Sequence, residues 1–254
     1  MPESRTTATS RVSQLAVQLF ADGADLPGML EMYAKPFIKG FTTNPTLMRK
    51  AGVADYRTFA LEALRAIPDR PISLEVFSDD FDEMAEQALE IASWGPNVNV
   101  KVPVSNTRGE FAGSLISQLS RQGVVLNVTA LMTASQVHRV VDALDGTAPA
   151  YVSVFAGRVA DTGRDPMPIM EESVATVNRR PRTSLIWASP RELLNVFQAD
   201  AVGCHIITAT NDILKKLDGV GKDLDRFSLE TVEMFRRDAV AAGFRIQPAI
   251  RTGR

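Results

Sequence analysis

One cysteine, Cys204, and two histidines, His138 and His205, deny this chain of 254 residues an intramolecular disulfide or a Cys/His zinc cluster. A reducing compartment and no structural metal are expected. No apolar run approaches the roughly 20 residues that span a bilayer, and the N-terminus is polar rather than signal-like. The expectation is a soluble, cytoplasmic protein with no membrane partner. An excess of one charge is also lacking, since a net charge of −2 gives no electrostatic argument for nucleic acid. No Gly-x-Gly-x-x-Gly follows a strand, which argues against a dinucleotide fold. There is no low-complexity linker or strong composition shift to mark a second domain.

What is present is ordinary globular material, 45% apolar and 23% charged, in a length that one α/β barrel occupies, about 200 to 250 residues. Short β-rich runs recur at Ala16 to Asp22, Ile38 to Thr42, Ile72 to Phe77, Val98 to Pro103, Val124 to Val128, Tyr151 to Phe155, Ser184 to Ala188 and Cys204 to Thr208. Between them lie helical patterns, including Asp80 to Trp94, Gly109 to Gln122, Thr133 to Leu144, Asp165 to Arg179 and Pro190 to Ala201. Strict βα alternation implies a parallel sheet. Eight such units favour closure into a single (β/α)8 TIM barrel spanning residues 1–254.

Two ends fall outside the alternation. Residues 1–11, rich in Ser, Thr and Arg, are expected to form a flexible tail. Residues 222–254 read as a further helix and tail, with Ser228 as cap, Glu230 and Thr231 in the first turn and Gly243 as the stop. Its apolar residues Val232, Met234, Phe235, Ala239 and Val240 do not make one narrow stripe, so it could cover the barrel or dock on a neighbouring subunit.

Lys101 stands out because Asn97 to Val104 otherwise reads as a buried strand, whereas Lys35, Lys39, Lys50, Lys215, Lys216 and Lys222 lie near turns or helix ends. Burying an ammonium without a partner is costly and favours the neutral amine, a nucleophile able to condense with a carbonyl. The alternative is a strand-end lysine that snorkels to the rim or pairs with a carboxylate. In a parallel barrel the chemistry sits at the carboxyl ends of the strands. The residues falling there are Asp22, Thr42 to Thr46, Glu75, Lys101, Asn127, Thr129, Ser153, Phe155, Arg158, Ser189 and Arg191. Ser189-Pro190-Arg191-Glu192 also reads as a capping box with proline at the first helical position. A helix N-terminus there would favour an anion, and Arg191 could add bidentate contacts.

The ordered succession Phe-Ala-Asp at 20 to 22, Thr-Thr-Asn-Pro-Thr at 42 to 46, Glu75, Lys-Val-Pro-Val at 101 to 104, Asn-Val-Thr at 127 to 129, Ser-Val-Phe-Ala-Gly-Arg at 153 to 158 and Ala-Ser-Pro-Arg at 188 to 191 resembles the transaldolase family over nearly the whole chain. The resemblance implies a class I transferase that needs no cofactor. Lys101 would form the Schiff base with a ketose phosphate, Asp22 would be the acid/base at the C4 hydroxyl, and Glu75 with Thr129 would hold a proton-shuttling water. Asn44, Asn127 and Ser153 would bind the donor's hydroxyls, while Arg158, Ser189 and Arg191 would take its phosphate.

Each role has a plainer counterpart. Asp22 could cap a loop, Glu75 could pair with Lys101, Asn44 could start an Asn-Pro turn and Asn127 could satisfy a strand end. Ser153 could be an ordinary small barrel residue, Ser189 only a cap and Arg191 only a solvated side chain. Glu75 and Phe155 resemble the transferring members, whereas the related fructose 6-phosphate aldolases tend to carry glutamine and tyrosine there. Val154, Met132-Thr133 and Trp187 depart from the family pattern, leaving the acceptor open between a pentose phosphate role and synthesis of a longer-chain sugar phosphate. Besides the aldolase, a silent sugar-phosphate-binding barrel is a reading from a different class. His138 and His205 read as core or surface histidines, Cys204 as a small buried hydrophobe, and a homo-oligomer is allowed.

Overall fold

The computed structural model of the protein describes residues 12–145 and 147–246. The expected tails at 1–11 and after 246 lie outside the described residues. Ser13–Leu217 form one compact unit, and a second includes the described residues 218–246.

In the first unit, eight strands form a closed parallel barrel in sequence order: β1 (Gln18–Asp22), β2 (Ile38–Thr42), β3 (Ile72–Glu75), β4 (Val98–Pro103), β5 (Leu126–Leu131), β6 (Ala150–Val154), β7 (Thr183–Trp187) and β8 (Ile206–Thr210). Pairing of β1 with β8 closes it, with Asp22 opposite both Thr42 and Thr210. The helices between are α1 (Leu26–Tyr33), α2 (Pro45–Lys50), α3 (Tyr56–Ala66), α4 (Phe81–Ala92), α5 (Gly113–Arg121), α6 (Ala134–Ala143), α7 (Ala156–Ala160), α8 (Met167–Val177), α9 (Leu194–Ala201) and α10 (Asn211–Lys215). The expected TIM barrel is what the chain forms.

Alternation explains the two faces of each strand. Val100 and Val102 on β4, Leu74 on β3 and Val128 on β5 are fully buried, as are Ala88, Ile116 and Val137 on the surrounding helices. Burying a side chain the size of valine or leucine contributes about 1.5–3 kcal/mol, so this layer holds helices to sheet. Phe20, Ile186, Ala188 and Ile206 form an apolar cluster together with the half-buried Tyr151 and Phe155. Gly40 is required beside this cluster, because a Cβ there would lie 2.5 Å from the Phe20 ring. Further along several of the same strands the character changes to Asp22, Thr42, Glu75, Lys101, Thr129 and Ser153.

Several helices begin where a side chain can accept their free N–H groups. Asp25, Asn44, Asp55 and Asp80 cap α1, α2, α3 and α4, and Thr133 with Gln136 forms a complete capping box on α6. The capping box expected at Ser189 is absent. Ser189 takes a left-handed φ of 61°, and α9 begins only at Leu194. The backbone N–H groups of Arg191 and Glu192 are instead taken by the Asn195 side chain at 2.7 and 3.1 Å.

Some strand limits also shift. β3 stops at Glu75 rather than Phe77, β8 runs to Thr210, and β5 continues to Leu131 through a register shift around Ala130, whose φ is 68°. That irregularity brings Thr129 inside the strand rather than just beyond it.

In the second unit, α11 (Leu224–Ala241) starts earlier than expected. Its cap is Asp223, which accepts from the Arg226 N–H at 2.9 Å, and not Ser228. Gly243 does end it: at φ 69° it donates to Val240 O at 3.0 Å while Phe244 donates to Ala239 O at 3.1 Å, closing both bonds of a Schellman turn.

Candidate active site

Lys101 is 5% exposed on β4, level with Glu75 on β3 and Asn127 on β5. Its Nζ donates to the backbone oxygen of Thr43 at 2.7 Å and to Glu75 Oε2 at 3.1 Å. The lysine therefore does not snorkel to water, and the carboxylate pairing foreseen for it is present. Because Thr43 follows β2, the amine spans β3 to reach the neighbouring strand's end. A third hydrogen remains on an ammonium so held.

Asp22, at the end of β1, accepts from Thr42 Oγ1 at 2.7 Å and from Asn44 Nδ2 at 3.4 Å. Thr42 Oγ1 also lies 2.5 Å from Thr208 Oγ1 on β8. Each hydroxyl carries one proton. When Thr42 donates to Asp22, Thr208 must donate to Thr42, so the two threonines form a directed pair behind the carboxylate. Burial pushes the Asp22 carboxyl above its ordinary value, against the attraction of Lys101 and the Thr42 bond, and the Glu75 charge adds to the rise. Its charge is thus coupled to both members of the lysine pair. Asn44 serves two ends at once, because its Oδ1 caps α2 through Leu47 N at 2.9 Å.

On the other side of Lys101, Ser153 donates to Asn127 Oδ1 at 2.7 Å, and Asn127 Nδ2 donates to Ser73 Oγ at 3.0 Å. This chain fixes the amide while leaving its second N–H hydrogen for another acceptor. Thr129 is 2% exposed, and its hydroxyl has no hydrogen-bond partner among the described residues. A buried hydroxyl without a partner is costly and marks a place suited to a polar guest.

Arg158, Ser189 and Arg191 form a separate group beyond β6 and β7. Arg158 is exposed, with its guanidinium 5.7 Å from the centre of the Phe155 ring. Arg191 Nη1 donates to Ser189 O at 3.0 Å and Ser189 Oγ at 2.9 Å, and the rest of its fork engages Asp161. Hydrogen bonds from Arg191 hold the Asp161 carboxyl below its usual range, and Asp161 raises the guanidinium in return. Since no helix starts at Ser189, charge and hydroxyl rather than a helix dipole are what this group offers an anion. Within this group, α7, which carries Arg158, and the loop after β7, which carries Ser189 and Arg191, meet at Gly157, where a Cβ would lie 1.6 Å from Ser189 O.

Three side chains in these networks escaped sequence reasoning. Ser73 and Thr208 are small polar residues in apolar strands, and that departure from the strand pattern was their only signal. Asp161 lies one helical step after Arg158, which hinted at a shared face. His138 pairs with Glu172 at 3.1 Å away from these groups, His205 accepts from Leu185 N at 3.2 Å, and burial pushes the Cys204 thiol up to about 12. Neither histidine nor the cysteine joins the site.

Fold and site together define a (β/α)8 barrel with a buried lysine–glutamate pair, and a second carboxylate coupled to it, at the carboxyl ends of the strands. Residues 19–248 match the family model described as transaldolase/fructose-6-phosphate aldolase. The chain belongs to that family. It is 34% identical over 202 residues to a protein of Dehalococcoides mccartyi named "probable transaldolase", covering 79% of this chain and 90% of that one. A protein of the same name from Thermoanaerobacter sp. is 34% identical over 233 residues, 91% of this chain and 100% of its own. The crystal structure of dihydrodipicolinate synthase from Rhodopseudomonas palustris superposes with a TM-score of 0.55 at 15% identity, covering 88% of this chain and 79% of that one, a likeness of fold alone.

Proposed function

We propose that the protein is a transaldolase, moving a three-carbon dihydroxyacetone unit from a ketose phosphate to an aldose phosphate through a Schiff base on Lys101. The observation that carries this reading is the Lys101 amine, buried 3.1 Å from the Glu75 carboxylate and electrostatically coupled to Asp22. Nζ attacks C2 of the ketose, and Glu75 is placed to accept a proton from the attacking amine. The Thr129 hydroxyl and Glu75 would position the water that carries protons to and from the carbinolamine oxygen, which leaves as water. Asp22 then takes the proton of the C4 hydroxyl; the C3–C4 bond breaks, the aldehyde departs and the electron pair enters the iminium to give an enamine. Asn44, Asn127 and Ser153 hold the hydroxyls of the bound fragment until an aldehyde accepts it by the reverse steps. Arg158, Ser189 and Arg191 bind the phosphate end.

Phe155 favours transfer over simple aldol cleavage, because a phenyl ring supplies no hydroxyl to deliver a proton or water to the enamine. The same reading puts the enzyme in the cytoplasm, with sugar phosphates as its ligands and a homo-oligomer as its assembly.

Borohydride trapping after incubation with fructose 6-phosphate tests the assignment. A reduced three-carbon adduct on Lys101, lost in Lys101→Met, is expected, and Phe155→Tyr is expected to release more free dihydroxyacetone relative to transfer. Absence of any adduct with fructose 6-phosphate or sedoheptulose 7-phosphate, in a folded protein, would overturn this assignment in favour of a different donor or the silent barrel.

A further inference from the structure

Among the described residues, Asp161 is the one carboxylate in direct contact with the group assigned to the phosphate, where an acid is at first sight misplaced. It opposes an anion electrostatically, and against Arg158 and Arg191 it halves the formal positive charge available. What it supplies instead is geometry. Arg191 Nε donates to Asp161 Oδ1 at 2.8 Å and Nη2 donates to Asp161 Oδ2, a two-pronged contact that fixes the plane of the guanidinium. Nη1 is meanwhile spent on Ser189 O and Oγ. Arg191 therefore keeps one Nη2 hydrogen for a further acceptor, and that hydrogen's direction is set by Asp161.

The two residues come from different βα connections. Asp161 ends α7, and Arg191 lies in the loop after β7, whose Ser189 carbonyl rests against Gly157. Their side chains are 53% and 45% exposed, so the pair contributes little to folding. Its main consequence is orientation across the seam between the two connections.

We propose that Asp161 is a positioning residue for substrate recognition: it holds the Arg191 fork beside Ser189 so that a phosphorylated sugar is gripped in one register relative to Lys101. This rests on the phosphate role given to Arg191 above. Charge relief and loss of orientation predict opposite signs on removing Asp161, which makes the assignment decidable.

The test is steady-state transfer by the full-length protein to glyceraldehyde, an acceptor without phosphate, with fructose 6-phosphate as donor, beside dihydroxyacetone as a donor with no phosphate end. Asp161→Ala is expected to raise the KM for fructose 6-phosphate by about tenfold, with kcat within about twofold and the dihydroxyacetone reaction unchanged. Asp161→Asn, which keeps one acceptor without the charge, is expected to fall between Ala and wild type. A KM for fructose 6-phosphate that stays put or falls in Asp161→Ala overturns the proposal, as does equal loss with dihydroxyacetone. A thermal melt guards against unfolding as the cause. Wild-type protein that forms no borohydride adduct would fail the transaldolase reading itself, whereas active wild type with an indifferent Asp161→Ala fails this inference alone.

Discussion

Asp22 sits where a carboxylate is costly to ionise, half-buried and within the field of Glu75, and burial raises its proton affinity despite Lys101 and Thr42. The folded state therefore binds a proton that the unfolded chain has released, in the window above the ordinary carboxylate value of about 3.9. Across that window the stability associated with this group is lost as pH rises to its raised value, and above it the full cost of the buried charge remains. Neutral pH lies above the ordinary carboxylate value, so the protein bears a cost from this group there. Asp22→Asn keeps an oxygen to accept from Thr42 and removes the charge. It is expected to unfold at higher denaturant concentration than wild type at pH 7, with the difference shrinking as pH falls toward 4. Turnover should drop by at least about 100-fold, the low end of what a positioned acid/base contributes. Equal stability of the two proteins at pH 7 would mean that Lys101 and the threonine pair fully compensate the burial.

The contact between α7 and the loop after β7 depends on a missing methyl group. In a helix, Gly→Ala ordinarily stabilises by about 0.5–1 kcal/mol. At Gly157 the sign should invert, because the new Cβ would lie 1.6 Å from the backbone oxygen of Ser189 and neither segment can yield by a side-chain rotation. Gly157→Ala is expected to lower the melting temperature, at a cost of about 1–3 kcal/mol for forced overpacking. It should also raise the KM for a phosphorylated donor by parting Ser189 and Arg191 from Arg158. Thermal unfolding and steady-state kinetics read both effects, and an unchanged melting point would show that the seam is looser than its geometry indicates.

This seam also marks where the sequence stops being legible. The strands could be read because alternation and turn residues are local signals, and Lys101 stood out against its own strand. Ser189-Pro190-Arg191-Glu192 satisfies the local grammar of a helix start, yet Ser189 adopts a left-handed turn with its carbonyl packed on Gly157, a tertiary contact that the four residues do not encode. The same holds for Ala130, whose left-handed φ carries no marker such as glycine, so the strand's extension through Thr129 was hidden. Partners distant in sequence were hidden too. Thr42 and Thr208 lie 166 residues apart, and Asp161 and Arg191 lie 30 apart. Of the candidate site, the lysine, both carboxylates, the amides and the hydroxyls of Thr42 and Ser153 were legible as residue types at strand ends, but Ser73, Thr208 and Asp161, which help to orient them, were not.

At the scale of the whole molecule, α11 is the element whose chemistry is least explained by a single chain. It has no buried residue over 18 positions, and Leu224, Phe227, Leu229, Val232, Phe235 and Val240 are all more than half exposed. At 100° per residue these six spread over more than one side of the helix. A helix with apolar residues on several sides is normally covered on several sides, and apolar clusters of this kind on a free surface mark association sites. A second copy of the chain is the occupant that supplies such a surface without another partner. Light scattering across a concentration series is expected to give a mass that is a multiple of 27.7 kDa. Phe227→Glu with Phe235→Glu should shift that mass toward one chain while leaving borohydride trapping at Lys101 intact, because both substitutions lie outside the barrel unit that holds the site. A single-chain mass at every concentration would rule out self-association, and loss of trapping in the double variant would show that the site needs the assembled state.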